Sequence, residues 1–348
     1  MKLVQFGDDQ GREHVGLIEG DEVIDLNADG NGPHSLYEIY YQYDGYKTGI
    51  EASVALLRKR ADRSDRLSFQ DLTSQIPMAG QEGGPHLLKP VSGPSDDPHR
   101  LRVWLAGVTH EDSAKLREIE AKQATGEQVN VYEQKYRECA AGGRPELFQK
   151  GEPDTVVGHG QALTRPQDTQ RLVPETELVA VYGLTHEGQV ELLGFTGGND
   201  VTDNGIEAAN PLNLPQAKNW SGACASLGPI LVTAAEFDPS ELEVSCEILR
   251  QGRRVAYKEG KTGEAHLNMP DGLLHMERAL FSRIPLLPGQ LQALFWGTPI
   301  VFAEADLPNG LQDGDSVRMS FSGGIGVLEN PVIPLPSIDQ LRQRESSR

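Results

Sequence analysis

Residues 1–30 carry three short apolar runs, Leu3-Val4-Gln5-Phe6, His14-Val15-Gly16-Leu17-Ile18 and Glu22-Val23-Ile24-Asp25-Leu26, separated by Gly and Asp. Runs of that length between turn formers predict a β-meander. The period then changes. Between residues 49 and 60, Ile50, Val54, Ala55 and Leu57 fall on one helical face, so helices are expected within 35–62. Residues 81–98 are rich in Gly, Pro, Ser and Asp, which predicts a linker. The pattern divides the chain into a small N-terminal α/β domain at 1–95, a larger domain at 100–335 and a polar tail at 336–348. Overall it predicts an α+β protein that is mostly β.

A strand over 102–108 opens the larger domain. Residues 111–138 are strongly charged and predict a helix, which Gly126 interrupts; such a broken helix is a candidate lid. From 172 to 334 short strands alternate with turns, including 227–233, 242–249, 294–297 and 316–321, the spacing of a large β core.

The run Pro174-Glu175-Thr176-Glu177-Leu178-Val179-Ala180 adds chemistry to this pattern. In a strand, side chains two apart share a face, so Glu175 and Glu177 project together. Two like charges that close repel unless a proton or a cation lies between them. A hard divalent cation answers that arrangement, and a solvated edge strand is the plain alternative. Downstream, Gly197-Gly198-Asn199-Asp200-Val201-Thr202-Asp203 reads as a glycine-rich turn that lets backbone approach a ligand, with Asp200 or Asp203 as a third carboxylate. The acid spacing is not that of an EF-hand.

With 38% hydrophobic residues in 348, the chain can bury a substantial core. A net charge of −19 argues against nucleic acid and anionic membranes as partners. No apolar run reaches the roughly 18 residues of a membrane span, and the polar N-terminus does not read as a signal peptide, so a cytoplasmic protein is expected. Cys139, Cys224 and Cys246 are widely spaced and form no disulfide framework or zinc motif. The nine histidines lack zinc-ligand spacing.

Taken in order, several segments resemble the fumarylacetoacetate hydrolase family. They are the Gly-rich entry at 107–113, Pro145-Glu-Leu-Phe-Gln-Lys150, Glu175-Thr-Glu177 and Gly194-Phe-Thr-Gly-Gly-Asn-Asp200. Lys218 follows ahead of Leu227-Gly228-Pro229, then Gly297-Thr298-Pro299, Leu311 to Val317, and Gly324 to Pro331. The resemblance covers residues 100–334. It implies a mixed β-sandwich roll that holds one Mg²⁺, Ca²⁺ or Mn²⁺, Mg²⁺ foremost, on Glu175, Glu177 and Asp200. A homodimer or homotetramer is implied in the same way.

Hydrolases and decarboxylases of the family carry a water-activating His shortly after the Gly-rich entry. Here Ser113 occupies that place, and His110 stands three residues earlier, leaving His110-Glu111 as a displaced alternative dyad. The segments 144–150 and 214–218 are more similar to the branch of sugar-acid dehydratases acting on 2-keto-3-deoxypentonates. That resemblance implies catalytic roles for Glu146 and Lys218. It implies dehydration of a 2-keto-3-deoxy sugar acid to a 2,5-dioxo acid through a metal-stabilised enolate, with Glu146 or Lys218 as the base. Thr298, Gly297, Arg144, Lys150 and Ser113 are the candidate contacts to the 2-keto acid substrate. The alternatives are a C–C hydrolase of 2,4-diketo acids, an oxaloacetate-type decarboxylase, or a non-catalytic keto-acid sensor.

Overall fold

The structure, a computed structural model, describes residues 1–27, 30–61, 66–75, 84–126 and 131–337. Ten strands form one continuous path in the order Arg66–Ser68, Glu22–Asp25, Glu13–Glu19, Lys2–Gly7, Ala225–Thr233, Val190–Asp200, Thr176–Leu184, Leu291–Phe295, Leu101–Gly107, Glu146–Gln149. Two further short strands pair off this path. A second sheet of five strands runs Arg253–Thr262, Leu242–Arg250, Asp315–Phe321, Gly326–Pro334, Leu163–Arg165.

The N-terminal meander forms as its sequence predicts, and it joins the main sheet edge to edge, with Lys2 opposite Val232 and Leu3 opposite Leu231. Helix Ile50–Arg60 buries Ile50, Ser53, Val54 and Leu57. Residues 81–83 and 338–348, part of the expected linker and nearly all of the expected tail, lie outside the described residues. The rest of the linker is packed: His86 and Leu87 pair with Gly7 and Phe6, and Val91 is fully buried. Its Gly and Pro content fits a chain lying against a sheet as well as one crossing solvent.

Thr176–Leu184 is buried at every position. Leu178, Ala180 and Tyr182 point into a core shared with Val244, Ile248 and Phe321 of the second sheet. Val179 and Val181 point the other way, toward Val54, Leu57 and Ile39 of the N-terminal helices. Covering both faces explains why the strand is apolar on both. Burial of each such side chain is worth about 1.5–3 kcal/mol.

One expectation is corrected here. Gly197 and Gly198 are not in a turn; Val190–Asp200 is a single strand through them. A Cβ on Gly197 would come within 2.5 Å of the Phe321 ring, and one on Gly198 within 2.4 Å of Phe295. The glycines admit aromatic rings on both faces of the sheet, not a ligand.

The charged segment folds as Glu111–Thr125 and Val131–Ala140, with Gly126 closing the first helix at φ 71°. Among the described residues no helix is long and apolar enough to cross a membrane.

Candidate active site

Glu177 lies in strand Thr176–Leu184, Glu175 directly precedes it, and Asp200 ends the neighbouring strand. The pairing Thr176–Asn199 sets these ends side by side, and the Asp200 N–H donates to the Glu175 carbonyl at 3.0 Å. All three acids are buried, and one carboxylate oxygen from each lies within 4.8 Å of the others. A hard cation bound at roughly 2.0–2.6 Å holds oxygens no more than about 4–5 Å apart, so the donor set and its spacing fit Mg²⁺, Mn²⁺ or Ca²⁺. Asp203 is engaged elsewhere. It caps helix Asn204–Ala209 through the Ile206 N–H and accepts from the N–H groups of Gln170 and Arg171.

Three buried cations face this acidic group. Lys218 Nζ donates to Glu175 Oε2 at 2.9 Å and to Asp200 Oδ2 at 2.5 Å. Lys150 Nζ is 2.7 Å from Asp200 Oδ1, and Arg117 Nη2 donates to Glu175 Oε1 at 2.7 Å. Burial alone raises the Glu175 carboxyl, but the Lys218 and Arg117 charges outweigh it and bring it to about 2. Burial opposes the charge on Lys218, while Asp200 and Glu175 hold it well above an ordinary lysine. Glu177 has weaker help, since the Lys218 charge lowers its carboxyl without bridging it. It accepts from the Gly297 N–H at 2.8 Å, and no salt bridge reaches it among the described residues. Burial, then the Asp200 and Glu175 charges, push its carboxyl well above the usual range. A buried acid short of positive charge beside two others is a second observation in favour of a cation here.

The acids open onto a cleft with about 500 Å³ of empty space including its open mouth. Of the residues singled out by sequence, Ser113, Glu146, Lys218, Gly297 and Thr298 line it. Glu146 comes from the edge strand, opposite Gly107. Lys218 ends the short helix Leu214–Lys218. Gly297 has φ +86°, and a Cβ there would meet Thr109 Oγ1 at 2.0 Å. Thr298 Oγ1 donates to the Ile300 carbonyl and accepts from its N–H, which fixes the loop under the cleft. Val108, also in the lining, has φ 57°, a strained conformation for a β-branched residue.

Arg144 and Lys150 do not line the cleft. Arg144 is exposed. Lys150 is fully buried behind Asp200 and donates to the carbonyls of Val201 and Lys218, so it braces the acid rather than facing a substrate. The His110-Glu111 pair is also apart from the cleft. His110 is buried, its ring nitrogens lie 2.9 and 3.1 Å from the Thr109 and Thr262 hydroxyl oxygens, and burial lowers it to about 3. Glu111 is exposed and paired with Lys115.

The residues of the lining that sequence reasoning passed over are Arg117, Tyr132 and Glu207. Arg117 pairs with Glu120 and Glu175 and bonds Asn204, tying helix Glu111–Thr125 to both the acid pair and helix Asn204–Ala209. A signal was present in sequence: Ala114 and Ala121, three before and four after Arg117, are buried on the same face. No comparable pattern marked Tyr132 or Glu207.

Comparison with known proteins agrees with this geometry. The family described as "Fumarylacetoacetate (FAA) hydrolase C-terminal" matches residues 119–333. A probable 2-keto-3-deoxyxylonate dehydratase of Haloferax volcanii is 32% identical over 287 residues, covering 82% of this chain and 83% of the relative. The 2-dehydro-3-deoxy-D-arabinonate dehydratase of Saccharolobus solfataricus is 33% identical over 272 residues, covering 78% and 81%. A solved structure of 2-keto-3-deoxy-D-arabinonate dehydratase complexed with magnesium and 2,5-dioxopentanoate superposes with a TM-score of 0.68 at 25% identity, covering 97% of this chain and 100% of that one.

Proposed function

Because the chain belongs to the fumarylacetoacetate hydrolase family, we propose that it is a metal-dependent hydro-lyase that removes water from a 2-keto-3-deoxy sugar acid and yields a 2,5-dioxo acid. The observation that carries this reading is the convergence of Glu175, Glu177 and Asp200 on one cleft with Lys218 and Glu146. The relatives' substrates and the magnesium in the structural neighbour support it.

Glu175, Glu177 and Asp200 would hold the cation, Mg²⁺ foremost. Bound there, it supplies Lewis-acid stabilisation of negative charge on a 2-keto oxygen. Glu146, half-buried in the lining and outside the acidic triad, is the base that takes the C3 proton. Lys218 keeps Glu175 and Asp200 in place through two hydrogen bonds and adds positive potential where the enolate charge develops. Ser113 offers a hydroxyl to the substrate carboxylate, and the Gly297-Thr298 turn, whose Gly297 N–H and Thr298 hydroxyl are held by Glu177 and Ile300, shapes the cleft beside it. Ser113 in place of a water-activating His, with His110 sealed away from the cleft, weighs against C–C hydrolysis.

The test is mass-resolved turnover of 2-keto-3-deoxypentonates and of a 2,4-diketo acid, each with Mg²⁺ and with EDTA. Loss of one water from a deoxypentonate, abolished by EDTA, is expected. Cleavage of the diketo acid alone would replace this reading with a hydrolase.

A further inference from the structure

The proposed dehydration leaves one proton unassigned. Hydroxide is a poor leaving group, so the C4–O bond breaks readily only if an acid protonates the departing oxygen. Glu207, on helix Asn204–Ala209, lines the same cleft as Glu146 and Lys218 and is 4% exposed. Its Oε2 lies 3.5 Å from Arg117 Nε without a hydrogen bond to it, and finds no hydrogen-bond partner among the described residues. Buried carboxyl oxygens are normally bonded, so one left open beside a cleft is free for a ligand.

We infer that Glu207 is the acid that protonates the departing C4 hydroxyl. It is then a further catalytic residue for the reaction proposed above, and the inference rests on that reading. Other groups in the lining serve less well. Two of the three Lys218 protons are engaged by Glu175 and Asp200, whose charges make the ammonium a weaker acid than an ordinary lysine. Tyr132 is a weak acid made weaker by burial.

The protons balance. Glu146 takes a proton from C3, the electron pair forms the C3–C4 double bond, and the C4–O bonding pair leaves with oxygen. That oxygen receives the Glu207 proton and departs as water. Protonated Glu146 then returns its proton to C3 while solvent takes one from C5, and the Glu207 carboxylate regains a proton from solvent, which restores both groups. The resulting C4–C5 enol tautomerises to the 5-aldehyde. Burial favours the protonated form of Glu207 before transfer, with Arg117 and Lys218 pulling the other way and ready to hold the carboxylate afterwards.

The test compares a 2-keto-3-deoxypentonate with its 4-fluoro analogue, since fluoride leaves with little need of a proton. Glu207→Gln should lower kcat on the hydroxy substrate by about 10²–10⁴ and on the fluoro substrate by less than about tenfold. KM should stay within about threefold, and Mg²⁺ affinity by calorimetry should be unchanged. Glu207→Asp keeps an acid one methylene short and should show the same selective loss, so the test survives a Gln variant that fails to fold. Equal losses on the two substrates, with the unsubstituted enzyme active, would overturn the role of Glu207 alone. No water loss by the unsubstituted protein would remove the dehydratase reading and this role with it.

Discussion

Lys218 Nζ stands 2.5 Å from Asp200 Oδ2, and the same ammonium reaches Glu175 Oε2 at 2.9 Å. One cation thus joins carboxylates from two neighbouring strand ends. Lys218→Met should keep Mg²⁺ binding and lose turnover by at least about 10²-fold, the scale of removing a group that stabilises developing charge. Turnover within about tenfold of the parent would refute the role. Breaking a buried pair also costs about 3–5 kcal/mol, so the metal-free variant should melt lower, and saturating Mg²⁺ should restore much of the difference.

Glu177 is the acid of the three that no lysine or arginine bridges among the described residues. In Glu177→Ala the cleft keeps Glu175, Asp200 and Lys218, yet the site should lose Mg²⁺. Titration calorimetry reads this directly. Binding as tight as the parent's would dismiss Glu177 as a ligand.

Gly198 lies opposite Glu177 in the sheet register. A Cβ at Gly198 would meet Phe295 at 2.4 Å and Val179 at 2.7 Å, both side chains fully buried. Gly198→Ala should therefore destabilise by about 1–3 kcal/mol through overpacking. Because the displaced backbone is Glu177's partner, Mg²⁺ affinity should fall as well. Differential scanning and binding calorimetry check the two effects, and an unchanged Tm would mean the rings move aside freely.

His14 in the N-terminal meander lies with Nδ1 2.9 Å from Asp25 and Nε2 3.4 Å from Asp8. The Asp25 interaction raises its pKa above the ordinary 6.5, burial opposes this, and the Asp8 charge adds to the rise. A raised folded pKa gives stability that is complete below 6.5 and is lost as pH climbs through the folded value. The stability difference between the parent and His14→Gln should be largest in mild acid and shrink toward alkaline pH. Denaturant melts across pH measure it; a difference that grows with pH would contradict the sign.

Local pattern determined much of this protein. Turn residues and short apolar runs gave the meander, Gly126 ended the charged helix, and the i, i+2 spacing of Glu175 and Glu177 put two acids together, because each depends on neighbours in sequence. The expectation for Lys218 rested on resemblance, and the structure brings it onto the acids from 18 residues beyond Asp200. Only the tertiary structure decided the rest. Gly197 and Gly198 read as a turn because glycine marks turns and ring contacts alike, and the rings come from Phe321 and Phe295, far along the chain. Asp200 was separated from Asp203 by which one the strand end aims at the acids and which one caps a helix. Lys150 was drawn behind Asp200, and Arg117 and Glu207 were drawn into the cleft, by packing between helices and sheet. A charged residue's sequence neighbours do not reveal which distant opposite charge will compensate its burial.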